Sequence, residues 1–199
     1  MKSDSVAFGV AGILFGLIAG WVIGSQQAPL RQPAAAVQAA PGTGSTAAIL
    51  DQAQVNAFSS VAEREPSNAA PRAQLGNLYF DAERYDEAIK WYTDALKLSP
   101  NEVEISTDLG VSYYYTNQPD KALEQFDRSL KIDPKHTKTL LNVGVVKAFG
   151  KQDLQGAQRA WEQVIELAPQ SPEAQAARRA LDTLRAAHPG QGAAPKPGA

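Results

Sequence analysis

Residues 86–100 read DEAIKWYTDALKLSP, and residues 120–134 read DKALEQFDRSLKIDP. In both, an alanine (Ala88, Ala122) stands four places before an aromatic (Tyr92, Phe126), and the run closes on proline. Within the first, Ala88, Ile89, Tyr92, Ala95 and Leu96 recur at three- and four-residue steps, which draws an apolar stripe along a helix. Glu87, Lys90, Asp94 and Lys97 take the other side and face water. Such a stripe is unstable alone and calls for a neighbour to cover it.

The neighbour is in the sequence. Pro66, Pro100, Pro134 and Pro169 are separated by 34, 34 and 35 residues. The same step carries Leu75 to Leu109 to Val143, Gly76 to Gly110 to Gly144, and Tyr79 to Tyr113; with one inserted residue it reaches Ala157 and Trp161. LGNLY (75–79) with the first run, and LGVSY (109–113) with the second, resemble the tetratricopeptide repeat (TPR). The resemblance implies an all-α fold, a right-handed α-solenoid of three TPR helix pairs at 69–102, 103–136 and 137–171. In such pairs small residues sit where the helices cross, large apolar residues fill the space between units, and proline ends the second helix. Two departures stand out: Lys147 replaces the tyrosine of the other units, and the third turn, FGKQDLQGA (149–157), is expected to be one residue longer.

Stacked units bury one another, so the ends of the array need covering. Ile49, Val55, Phe58 and Val61 precede Pro66 and predict a half-repeat helix over 48–66. Ser171 is placed to cap a helix beginning at Pro172, with Ala174, Ala177, Leu181 and Leu184 on one side, which predicts a capping helix over 172–187. The repeat domain is accordingly expected to span 48–187.

Upstream, Val6 to Gly24 carries no charge, and as a helix it is ~28 Å long, enough to span a bilayer's hydrocarbon. That apolar run exceeds the core of a cleavable signal, and Ile23 and Ser25 fit a small-x-small cleavage site poorly, so residues 1–24 read as a retained transmembrane anchor. Lys2 and the terminal amine flank one end, while the first base beyond the other is Arg31. This charge bias places the repeats across the membrane from the N-terminus, in the periplasm for a single-pass protein of a bacterial inner membrane. Gly12, Gly16, Gly20 and Gly24 share one helix face and offer a transmembrane packing surface; composition alone also yields such spacing. Residues 25–47, rich in Ala, Pro, Gln and Gly, read as a flexible linker, and 188–199 as a disordered tail.

The first helix of each pair lines the inner wall of a solenoid, which nominates a peptide-binding groove. Its residues are Asn77 and Phe80 in the first unit, Asp108, Val111, Tyr114 and Tyr115 in the second, and Lys138, Asn142, Val145 and Phe149 in the third. The plain alternative is that Phe80, Tyr114 and Phe149 pack between first helices. Tyr113, Tyr114 and Tyr115 point about 100° apart, so they cannot all face one core. Some TPR modules clamp a C-terminal carboxylate with lysines, asparagines and an arginine. At those positions this chain has Ala73, Asn77, Asp108, Lys138 and Asn142, and Asp108 repels a carboxylate.

Composition excludes other classes. The formal charge of -2 gives no positive field for nucleic acid, and the lack of cysteine removes disulfides and thiolate chemistry. His136 and His188 are the only histidines; His136 is expected to be solvated in a turn between units, His188 to be solvated in the tail. No phosphate loop, nucleophile elbow or metal-ligand spacing appears, so no catalytic residue, cofactor or metal site is assigned. The reading is a membrane-anchored protein-protein interaction scaffold for a protein or peptide client. In layout it resembles bacterial TPR proteins of c-type cytochrome assembly, the secretion translocon periphery or envelope complexes. The alternative is a homo-oligomeric structural envelope protein assembled through the glycine-spaced anchor and repeat stacking.

Overall fold

The computed structural model of the protein describes residues 49–187, all within the second of its two units, Ile49–Ala199. The anchor expected at 1–24 with Gly12, Gly16, Gly20 and Gly24, the linker at 25–47 and the tail at 188–199 lie outside the described residues. No described helix is long and apolar enough to cross a membrane. Eight α-helices follow one another: α1 (Gln52–Arg64), α2 (Ala70–Asp81), α3 (Tyr85–Leu98), α4 (Val103–Tyr115), α5 (Pro119–Ile132), α6 (Thr137–Val145), α7 (Leu154–Leu167) and α8 (Pro172–Ala187). A π-helical turn, Val146–Gly150, continues α6. Among the described residues there is no strand.

Local chemistry sets the helix ends. Asp51 caps α1 by accepting from the Ala53 and Gln54 amides at 2.9 and 3.1 Å, so the helix begins at Gln52, later than the apolar pattern from Ala48 implied. Ser171 accepts from the Ala174 amide at 3.1 Å, and Asp153 from the Gly156 amide at 2.8 Å. Pro119 and Pro172 open α5 and α8, where a missing N–H costs nothing. Between the two helices of every pair one residue takes the left-handed region: Glu83 (φ 57°), Asn117 (φ 60°) and Gln152 (φ 56°). In the first two pairs the chain then folds back onto its own helix, with the Arg84 amide on the Tyr79 carbonyl and the Gln118 amide on the Tyr113 carbonyl, each at 2.8 Å.

The pairs α2/α3, α4/α5 and α6–π/α7 cross on glycine. A β-carbon on Gly76 would enter the Tyr92 ring, one on Gly110 the Phe126 ring and one on Gly144 the Trp161 ring. All three aromatics are fully buried, and the Trp161 indole donates to the Leu141 carbonyl at 3.1 Å. Burying one such ring contributes about 1.5–3 kcal/mol, so the three crossings hold a large share of the core. Each second helix then packs on the next first helix, α3 on α4, α5 on α6 and α7 on α8, while α1 packs on α2. Buried polar groups at these contacts are satisfied: Gln125 and Ser129 of α5 both donate to Ser106 of α4, at 2.7 and 2.9 Å.

The third unit corrects the sequence reading. Its extra residue does not lengthen the turn. Seven positions separate Gly76 from Glu83 and Gly110 from Asn117, but eight separate Gly144 from Gln152. From the left-handed residue to the crossing aromatic (Tyr92, Phe126, Trp161) the count is nine in all three units. The insertion therefore sits inside the first helix, where it is absorbed as the π turn; the Lys151 amide reaches back to the Val146 carbonyl at 3.0 Å. Gly150, at the end of that turn, lies close against Pro119 and the Tyr114 ring, where a β-carbon would come within 3.0 Å of both.

Candidate binding face of the first helices

The repeat places the first helices α2, α4 and α6 in series, with polar side chains away from the pair crossings on each. Hydrogen bonds join those of α4 and α6. Lys138 in the first turn of α6 sits one repeat beyond Glu104 in the first turn of α4, and its amine bonds the Glu104 carboxylate at 3.2 Å and Asp108 at 2.7 Å. The other Glu104 oxygen accepts from His136 Nε2 at 2.8 Å, since a nitrogen facing a carboxylate must donate. His136 Nδ1 meets Thr139 at 2.7 Å, and Thr139 meets Thr107 of α4 at 2.7 Å. His136, expected in solvent, is thus mostly buried and bonded at both ring nitrogens, because the turn between units is pressed against the preceding first helix.

Electrostatics follow from this packing. The hydrogen bond from His136, helped by Lys138 and opposed by burial, holds the Glu104 carboxyl at about 2. Burial pushes the Asp108 carboxyl up by more than its lysine partner draws it down. Burial works against the Lys138 charge too, but Asp108 and Glu104 together outweigh it and hold the amine above its ordinary value. On α2, the Asp81 carboxyl is raised by burial and by the nearby charge of Asp108.

The other candidate residues divide between this face and the core. Asn77 accepts a hydrogen bond from the Tyr92 hydroxyl at 2.9 Å, so the buried ring that fills the first crossing also positions Asn77. Asn142 is buried and donates to the Lys138 carbonyl of its own helix at 2.9 Å. Phe80, Val111 and Val145 were expected on an open groove and are instead buried; the Phe80 ring packs on Tyr85 and Tyr92 at 5.5 and 6.3 Å between centroids. Tyr115 stacks on Tyr85 of the previous unit at 4.3 Å with the planes 6° apart. Tyr114 lies 6.2 Å from Tyr115, and burial pushes its hydroxyl up to about 12. Tyr113 carries Lys121 over its ring at 5.5 Å, and Phe149 lies half-buried in the π turn. The Tyr115–Tyr85 stack ties the second unit to the first.

Glu104, His136 and Thr139 were missed by the sequence reading. Glu104 had a legible signal, since opposite charges at the same register of adjacent units, Glu104 and Lys138, meet when the units stack. Among the described residues no group of His, Asp and Glu is arranged to hold a metal ion.

Residues 67–135 match the family model described as tetratricopeptide repeat. No curated protein matches the chain significantly. Among solved structures, the chain is similar to the first TPR of Spaghetti (RPAP3) bound to HSP90 peptide SRMEEVD, with 27% identity over 60% of this chain and 91% of that one and a TM-score of 0.54. It is similar also to the Sgt2 TPR domain from Aspergillus fumigatus, with 27% identity over 60% of this chain and 78% of that one and a TM-score of 0.54. MamA shares the fold at 19% identity, covering 65% of this chain and 75% of its own with a TM-score of 0.58. The described helices thus form an all-helical, solenoid-like fold of the TPR kind, and residues 67–135 match the repeat's family model.

Proposed function

We propose that this chain is a membrane-anchored scaffold that holds a segment of another protein on the face of α2, α4 and α6, and that it catalyses no reaction. The observation that carries the reading is the row of polar side chains on these helices, hydrogen-bonded between α4 and α6. Its polar groups are held in place from behind by buried crossings, as Asn77 is by Tyr92, so it is preorganised for a ligand. A similar TPR structure at 27% identity holds a peptide, which supports the same use here. An extended segment suits such a wall, with fixed polar points for its backbone.

The anchor rests on the uncharged stretch from Val6 to Gly24, and the periplasmic side on the positions of Lys2 and Arg31. In layout the whole resembles assembly factors of c-type cytochromes, of secretion or of the envelope. The full-length chain is expected to stay in the membrane pellet after an alkaline wash; release into the supernatant contradicts the anchor.

The glycine spacing at Gly12, Gly16, Gly20 and Gly24 favours a second reading, self-assembly through the anchor. Assembly through repeat stacking has less support. The outer faces of α1 and α8 are polar, with Gln52, Asn56, Ser60 and Glu63 exposed on one and Gln175, Arg178, Arg179 and Asp182 on the other. Crosslinking in native membranes separates the two, since self-adducts alone support assembly and a heterologous adduct supports the scaffold.

The scaffold is tested by affinity purification of the full-length chain from detergent-solubilised native membranes, beside a variant with Ala73→Arg. Loss of a co-purifying partner, with the denaturation midpoint unchanged, supports the face. Undiminished recovery of every partner from the variant overturns it.

A further inference from the structure

The charge on the first-helix face decides what kind of segment it accepts, if that face is the binding surface proposed above. Its one lysine is spent. Lys138 is buried, and its charge is already shared between Asp108 at 2.7 Å and Glu104 at 3.2 Å. His136 is likewise held by Glu104. Against these two bases stand three carboxylates, Glu104, Asp108 and Asp81, and Glu173 takes on α8 the register that Lys138 takes on α6.

Asp81 is the informative one. It is half-buried at the end of α2, where burial and then the nearby charge of Asp108 disfavour its ionised form, and among the described residues no hydrogen bond or ion pair holds it. Buried side-chain oxygens without a partner are absent among the described residues, so its oxygens reach solvent. One turn away, Asn77 spends its carbonyl on Tyr92 and keeps its amide donors free for a main-chain carbonyl. A half-buried carboxylate without a cation, beside a positioned amide donor, is complementary to a basic side chain on an extended backbone.

We propose that the segment held on this face carries lysine or arginine, with its cation seated at Asp81 and Asp108 and its backbone at Asn77. The same charges turn away acidic and carboxylate-ended segments, because a second anion near Asp81 and Asp108 adds repulsion that no free base offsets.

The test is selection from a random peptide library by the full-length chain in detergent, followed by anisotropy with a selected peptide and its Lys/Arg→Gln and Lys/Arg→Glu counterparts. Enrichment of lysine and arginine is expected. Asp81→Asn is expected to weaken the selected peptide about tenfold. Glu124→Gln, which removes an exposed acid from α5, is expected to leave affinity unchanged, and so excludes a general charge effect. Neutral or acidic selected peptides that are lost on Ala73→Arg overturn the charge assignment and leave the face standing. Basic peptides insensitive to Asp81→Asn, or equally sensitive to Glu124→Gln, also overturn it. Peptides of every charge indifferent to Ala73→Arg overturn both.

Discussion

Three glycines decide how closely the helix pairs approach. Gly110 leaves no room for a β-carbon against the buried Phe126 ring, so Gly110→Ala forces the ring or the helix to move. Helix propensity alone favours alanine there by roughly 0.5–1 kcal/mol, but overpacking costs about 1–3 kcal/mol and wins. Urea denaturation should therefore show a lower midpoint for Gly110→Ala, and an equal or higher midpoint contradicts the crossing. Glu104 gives a second prediction at this scale. Its folded carboxyl lies at about 2, below its ordinary 4.5, because His136 and Lys138 favour the ionised form. A depressed carboxyl contributes stability in full above 4.5, and that contribution is lost as pH falls toward 2. Glu104→Gln should therefore flatten the acid limb of the stability curve in that interval; a curve parallel to the parent's removes the assignment. The pair Glu104 and Lys138 could be anticipated from equal register, whereas the bond from His136 depends on how the turn folds against α4, which no spacing encodes.

At the scale of the element, the repeat was legible because it is written in sizes: glycine under Tyr92, under Phe126 and under Trp161, each a fixed number of residues from a proline. Helix boundaries were less so, since Asp51 starts α1 by a local hydrogen bond that outweighs the apolar pattern beginning earlier. The place of the extra residue in the third unit was illegible for a different reason. Counting shows that one residue has been added, but both a longer turn and a wider helical turn accommodate it, and the left-handed residue at Gln152 decides for the helix. The consequence can be measured. Deleting Ala148 from the π turn restores the seven-residue interval of the other units and is expected to preserve a cooperative thermal transition. Deleting Tyr113 from α4 rotates the following turn by about 100° against Phe126 and is expected to abolish it. Equal damage from the two deletions contradicts the π-turn assignment.

Across the whole molecule, the repeat ties these features together. Units stacked in series bury their crossings, are closed at α1 and α8 by helices with polar outer faces, and leave the first helices to present side chains that packing does not consume. Sequence register named Asn77, Asp108 and Lys138 for this face, and the structure brings the last two into contact; it also withdrew Phe80, Val111 and Val145 into the core, Phe80 by packing its ring on Tyr85 and Tyr92 of α3. The most direct test is site-specific photocrosslinking in native membranes, with a photoreactive side chain in place of Ala73 on α2 or of Lys90 on α3. An adduct with another protein from position 73 and none from position 90 is the predicted result. Adducts from position 90 alone would contradict the assignment of function to the first helices.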